Sequence, residues 1–150
     1  MFEFRKVIFL AFLPLASSCV AVDGKIEDYD DVVKKVTSAV ESGDYGKAYD
    51  LTYPFAESGD PEAQFSLGLF LGWGFGHDSE NPSEQEREQR SLLWIKKAAV
   101  QGHDKATKLM SDAYAHGWYG LSKDEQLSLC WKEANNNPIK AKECNRKASD

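Results

Sequence analysis

The chain has 150 residues, enough for one domain with a real core and too few for two comfortable ones. With 42% hydrophobic and 28% charged residues it is neither a disordered nor a membrane-embedded composition. The formal net charge of −6, without a basic stripe, argues against nucleic acid, because phosphate binding needs clustered Lys and Arg; it suits solubility or a basic partner.

The first segment has the layout of a secretory signal. Arg5 and Lys6 precede an apolar run from Val7 to Leu15, Pro14 closes it, and small residues follow. Such a run is too short for a transmembrane helix of the mature chain. Two exits are expected: cleavage after Ala21, giving a signal over 1–21, or cleavage before Cys19 with lipidation of that Cys, giving a signal over 1–18. Leu15-Ala16-Ser17-Ser18-Cys19 is similar to a bacterial lipoprotein signal, although Ala16 stands where Leu is preferred. Membrane attachment is expected only through a lipidated Cys19, and the remainder, 22–150, is read as one domain. With Cys19 set apart, Cys130 and Cys144 are the candidates for a disulfide in an oxidising compartment, the alternative being two unpaired thiols.

Next along the chain, Val32, Val33, Val36 and Val40 make one apolar helix face that ends near Gly43. Tyr45 to Ser58 reads as a second helix, capped by Asp44, stopped by Gly59 and kinked by Pro54. Asp60-Pro61 then supplies an N-cap and a first-turn proline. From here the chain repeats. At an offset of 43, Gly59 falls on Gly102, Ala63 on Ala106, Leu67 on Met110, Leu71 on Tyr114 and Gly74 on Gly117. Each unit has a second helix, Leu92 to Gln101 and then Glu125 to Ala134, which align at an offset of 36 through Ile95 with Trp131 and Ala98 with Ala134. The difference between the offsets locates an insertion within His77 to Gln89. Ser83 with Glu86, and Ser122 with Glu125, have capping-box spacing. Asn135-Asn136-Asn137-Pro138 ends the last of these helices, and a terminal helix is expected from Pro138 to about Lys147. No segment alternates at period two for long enough to predict a strand. The expected fold is all-α, three helical hairpins followed by a short helix.

Ala63, Leu67-Gly68, the glycine-rich end Gly72-Trp73-Gly74-Phe75-Gly76 and Trp94-Ile95-Lys96-Lys97-Ala98-Ala99-Val100-Gln101-Gly102 carry a resemblance to the Sel1-like repeat, a relative of the tetratricopeptide repeat. The next unit is similar in Ala106, Tyr114, Gly117, Gly120 and Trp131-Lys132-Glu133-Ala134; it departs at Ser111 and Asn135, where the family has Gly and Ala. The resemblance covers about 45–134. It implies a right-handed superhelix of paired helices that serves as an adaptor or scaffold for other proteins, often in the bacterial envelope. Stacked hairpins leave an extended surface for partners.

Catalytic and metal-binding patterns are missing from the sequence. His77, His103 and His116 have no Cys and no second His at zinc spacing, and adjacent His103 and Asp104 would point apart on a helix. Gly72-x-Gly74-x-Gly76 follows a helix, so it is not a phosphate cradle. Glu84, Glu86 and Glu88 alternate with Gln85, Arg87 and Gln89 as a solvated helix start does. No enzyme activity and no cofactor are therefore expected. Cysteine-rich members of the family have been discussed as penicillin-binding or hydrolysing proteins, but this chain lacks their Cys pair in every repeat. Three readings stand: a periplasmic adaptor, a cognate immunity protein against a secreted toxin, and an enzyme of that cysteine-rich kind. The candidate partner-binding residues are Phe65, Leu69 and Trp73, with Lys108, Asp112 and His116 in their places one repeat on. The competing expectation is that Val32, Val36 and Val40 cover the apolar trio.

Overall fold

A computed structural model describes residues 20–22, 25–76 and 82–149 of the chain. Each helix begins where a side chain can satisfy the free amides of a first turn. Asp28 caps α1 (Tyr29–Glu41), Asp44 caps α2 (Tyr45–Ser58), and Asp60 caps α3 (Pro61–Gly72), its carboxylate accepting from Ala63 N at 2.8 Å. A complete capping box of Ser83 and Glu86 starts α4 (Glu84–Val100). At α5 (Asp104–His116) the capping group is an imidazole: His103 Nδ1 accepts from Ala106 N at 3.2 Å. Asp124 caps α6 (Glu125–Glu133) and Asn137 caps α7 (Pro138–Lys147). The predicted box of Ser122 and Glu125 is thus not formed, because Asp124 stands next to the first helical residue and accepts from Leu127 N at 2.8 Å.

The predominantly helical fold agrees with the all-α expectation, with two differences. A short antiparallel hairpin pairs β1 (Val20–Val22) with β2 (Lys25–Glu27), Val20 opposite Glu27 and Val22 opposite Lys25. Strands of three residues are too short to leave an alternating pattern. Second, the helix expected over Leu92 to Gln101 begins at Glu84, because the polar residues after the capping box continue as its solvated first half. Residues 77–81, within the expected insertion, lie outside the described residues, as do 1–19 with the whole apolar run and Cys19. A cut after Ala21 would fall inside β1.

Successive helices pack on one another from α1 to α7, and α7 also returns to α4. Two buried clusters result. Tyr29, Val32 and Val36 meet Phe55, Leu67 and Leu71 in the first, while Phe65, Ile95, Met110, Trp131 and Cys144 belong to the second. The middle hairpin serves both: α3 gives Leu67 and Leu71 to one side and Phe65 to the other, and α4 gives Trp94 and Ile95. A helix buried on two sides must be apolar nearly all round, which is why α3 shows no clean polar stripe. Its close approach to α4 depends on Gly68, where a Cβ would lie 2.7 Å from Ile95 Cγ1 and 3.1 Å from the Ser91 carbonyl oxygen. In the next hairpin Ser111 occupies this place, and its hydroxyl donates to the Ser128 carbonyl at 2.8 Å. Cys130 and Cys144 form a disulfide that joins α6 to α7, with Cα atoms 5.7 Å apart.

Candidate functional site

The six residues expected to bind a partner do not make one patch. Phe65 is 8% exposed and belongs to the second core cluster, its ring 5.1 Å from that of His103. The valines of α1 do not cover it. They share a cluster with Leu67, Phe70 and Leu71, whose side of α3 faces the first hairpin, whereas Phe65 faces the hairpin that follows. Leu69 is half-buried, and Trp73, at the C-cap of α3, is 61% exposed. On α5, Lys108 is exposed and Asp112 half-buried, with no salt bridge between them. His116 is exposed, and its Nδ1 is 2.8 Å from the Asp112 carbonyl oxygen, to which it donates. Its ring stacks on Trp118 with centroids 4.9 Å apart.

Leu69 and Trp73 open onto a cleft of about 410 Å³ between the end of α3, the first half of α4 and the loop after α5. The opposite wall is Trp118, 47% exposed, together with Tyr119. Tyr119 has φ 58°, in the left-handed region that side chains rarely adopt, and it sits between two glycines of the same kind, Gly117 at 76° and Gly120 at 72°. Holding a tyrosine there costs on the order of 1 kcal/mol, and such conformations gather at functional sites. Burial pushes the Tyr119 phenol above its ordinary range; the Ser91 hydroxyl opposes this, and the negative charge of Glu88 adds to it. Among the described residues Glu88 is the one acidic side chain lining the cleft. The wall of Trp118 and Tyr119 was not among the residues singled out from sequence, although an aromatic pair bracketed by glycines was the available signal.

The three alternating glutamates separate once folded. Glu84 is exposed in the first turn of α4, Glu86 closes the capping box, and Glu88 turns to the cleft. Hydrogen bonds from the Ser83 amide and hydroxyl hold the Glu86 carboxyl below the ordinary carboxylate range. Among the described residues no group of His, Cys, Asp and Glu could hold a metal ion, and His77 lies outside them. Among them, too, no helix is long and apolar enough to cross a membrane. The chemistry this cleft offers is stacking on indole faces, apolar contact with Leu69, and, among the described residues, the carboxylate of Glu88. No protein-family model, curated protein sequence or solved structure matches the chain.

Proposed function

We propose that this protein is a non-catalytic, protein-binding scaffold of the Sel1-like kind, exported to the bacterial envelope. The observation that carries the reading is the pair of exposed tryptophans, Trp73 from the end of the second hairpin's first helix and Trp118 from the third hairpin, on the two walls of one cleft. Exposed tryptophans at the rim of a concave surface are the side chains that concentrate binding energy in protein interfaces. A stack of hairpins supports such a site because each unit hides its apolar face on the next and leaves its open edge for partners. The Cys130–Cys144 bridge supports an oxidising compartment, as export to the envelope provides. Of the two exits from the signal, the one before Cys19 would leave the β1–β2 hairpin whole and favours a lipid anchor.

The test is capture from envelope extracts on the immobilised protein, beside a Trp73→Ala/Trp118→Ala double variant. A partner held by the native protein and lost by the folded double variant is expected. Equal capture by both would remove the cleft from the proposal. Intact mass of the exported protein decides the signal: a mass retaining residues 1–18 would overturn export with cleavage, and lipid on Cys19 would establish the anchor.

A further inference from the structure

Glu88 distinguishes this cleft from an ordinary apolar groove. It is half-buried, it lines the space between Trp73 and Trp118, and it has no salt-bridge partner among the described residues. The nearest cation along the helix does not serve it: Arg87 directs its guanidinium away to donate to the Pro82 carbonyl at 2.9 Å. His116 is taken up by the Asp112 carbonyl and by its stack on Trp118. An occupant that fills the cleft therefore desolvates a carboxylate, which is costly unless the occupant brings a positive group to it.

We propose that the Trp73–Trp118 cleft receives an arginine side chain presented by an extended segment of a basic partner protein. This rests on the reading of the cleft as a protein-binding site and names the chemistry of its partner. A guanidinium is planar and weakly hydrated. It stacks on indole faces and pairs with a carboxylate through two parallel N–H donors, so a tryptophan wall beside Glu88 suits each of its surfaces. A lysine ammonium would satisfy the charge of Glu88 but would stack less well. An aliphatic or aromatic anchor would fill the walls and leave the carboxylate buried without a partner. Acidic ligands are opposed both by Glu88 and by the formal net charge of −6, and the same net charge draws a basic segment toward the surface. Gly72, Gly117 and Gly120 keep the lining between the aromatic walls free of side chains, which leaves room for an extended backbone to follow its arginine in.

The four tryptophans supply their own control. Trp131 is fully buried, and Trp94 is covered by Lys97, whose Nζ is 3.6 Å from its ring, whereas Trp73 and Trp118 face the cleft. The capped peptide Ala-Pro-Arg-Pro-Ala is titrated into the 15N-labelled full protein while the four indole N–H signals are followed. The same peptide with citrulline, which keeps the shape and removes the charge, is the comparison. Saturable shifts of the Trp73 and Trp118 signals are expected, with a Kd on the order of 1 mM for one arginine, while Trp94 and Trp131 stay in place. Citrulline in the peptide, or Glu88→Gln in the protein, should weaken binding at least fivefold. Absent shifts with the arginine peptide, or equal affinity for the citrulline peptide, overturns the arginine assignment. So does unchanged affinity in Glu88→Gln, whose fold the unmoved Trp131 signal verifies. A captured partner that is lost by Trp118→Ala but kept by Glu88→Gln would sink the arginine while leaving the binding-site reading intact.

Discussion

His103 Nε2 lies 2.7 Å from Glu62 Oε2, so the side chain that caps α5 also reaches the first turn of α3. Because Nδ1 accepts from the Ala106 amide, the ring hydrogen of the neutral form sits on Nε2 and is donated to the carboxylate. Lys105 joins the same carboxylate at 3.2 Å, and Glu62 and Lys105 occupy equivalent positions in the two hairpins. Burial pushes the Glu62 carboxyl up, but hydrogen bonds from His103 and Lys105 and their charges outweigh it, and the net direction is down from the ordinary 4.5. A carboxyl depressed in the folded state contributes stability that is complete above its unfolded value and is lost as pH falls through its folded value. Acidification from pH 5 downward is therefore expected to lower the denaturation midpoint, and Glu62→Gln should make that dependence shallower. Parallel pH profiles of native protein and variant would contradict this.

The same histidine gives a sharper comparison. His103→Ala removes both the cap and the partner of Glu62 and should cost about 1 kcal/mol or somewhat more, the usual worth of an N-cap. His103→Asn keeps an acceptor for the Ala106 amide and should recover most of that loss. Chemical denaturation of the two variants checks it, and an Asn variant no better than Ala would show that the cap is not what His103 supplies.

How far the fold was legible depends on the kind of signal. The caps at Asp44, Asp60 and Ser83 and the stop at Gly59 were readable because they are local: one side chain and the amides of the next turn. His103 was missed as a cap because imidazole is not a usual capping group, and only its place opposite Asp60 in the repeat marked it. The candidate face failed for a different reason. The offset correctly paired Phe65 with Lys108, but an offset cannot say which neighbour a helix face meets. Leu67 and Leu71 meet the preceding hairpin and Phe65 the following one, a distinction fixed by stacking in three dimensions. Half of the cleft, Trp118 and Tyr119, lies in a loop with no helical period to reveal it.

Two glycines that end second helices of successive hairpins should differ on substitution. Gly59 has φ 101° and open space where a Cβ would go, so Gly59→Ala meets only the left-handed backbone cost of about 1 kcal/mol. Gly102 has φ 82°, and a Cβ there would lie 2.9 Å from Pro138 N and 3.0 Å from its Cδ. Gly102→Ala must also displace the start of α7, which the bond from Asn136 N to the Gly102 carbonyl holds at 3.1 Å. It should lose about 1–3 kcal/mol more than Gly59→Ala. Equal midpoints in urea would refute the close approach.

The disulfide should contribute through the unfolded chain. Its cysteines are 14 positions apart, and closing a loop of that size is worth about 3 kcal/mol in the chain-entropy model. Cys144→Ser is expected to lower stability by that order, and thiol titration of the unfolded, unreduced native protein should find neither Cys130 nor Cys144 free. Titration of both would overturn the bridge.

Phe65 and Lys108 occupy equivalent positions of the two units and carry opposite chemistry. Phe65 on α3 turns toward the hairpin that begins at His103, whereas among the described residues α5 and α6 are followed by the single helix α7. Position 108 on α5 is not covered in the way Phe65 is on α3, and Lys108 is exposed there, as a solvated face of a stack requires. Phe65→Ala should remove a buried ring and cost about 3–5 kcal/mol. Trp73→Ala should cost no more than about 1 kcal/mol, because its ring is 61% exposed. Lys108→Glu should leave the midpoint within about 0.5 kcal/mol. Lys108→Phe places on α5 the residue that α3 uses for stacking. It is expected to leave the fold intact and to shift the protein toward self-association in sedimentation velocity at high concentration. A monomeric Lys108→Phe together with a fully stable Phe65→Ala would show that the two positions do not play the stacking roles assigned to them.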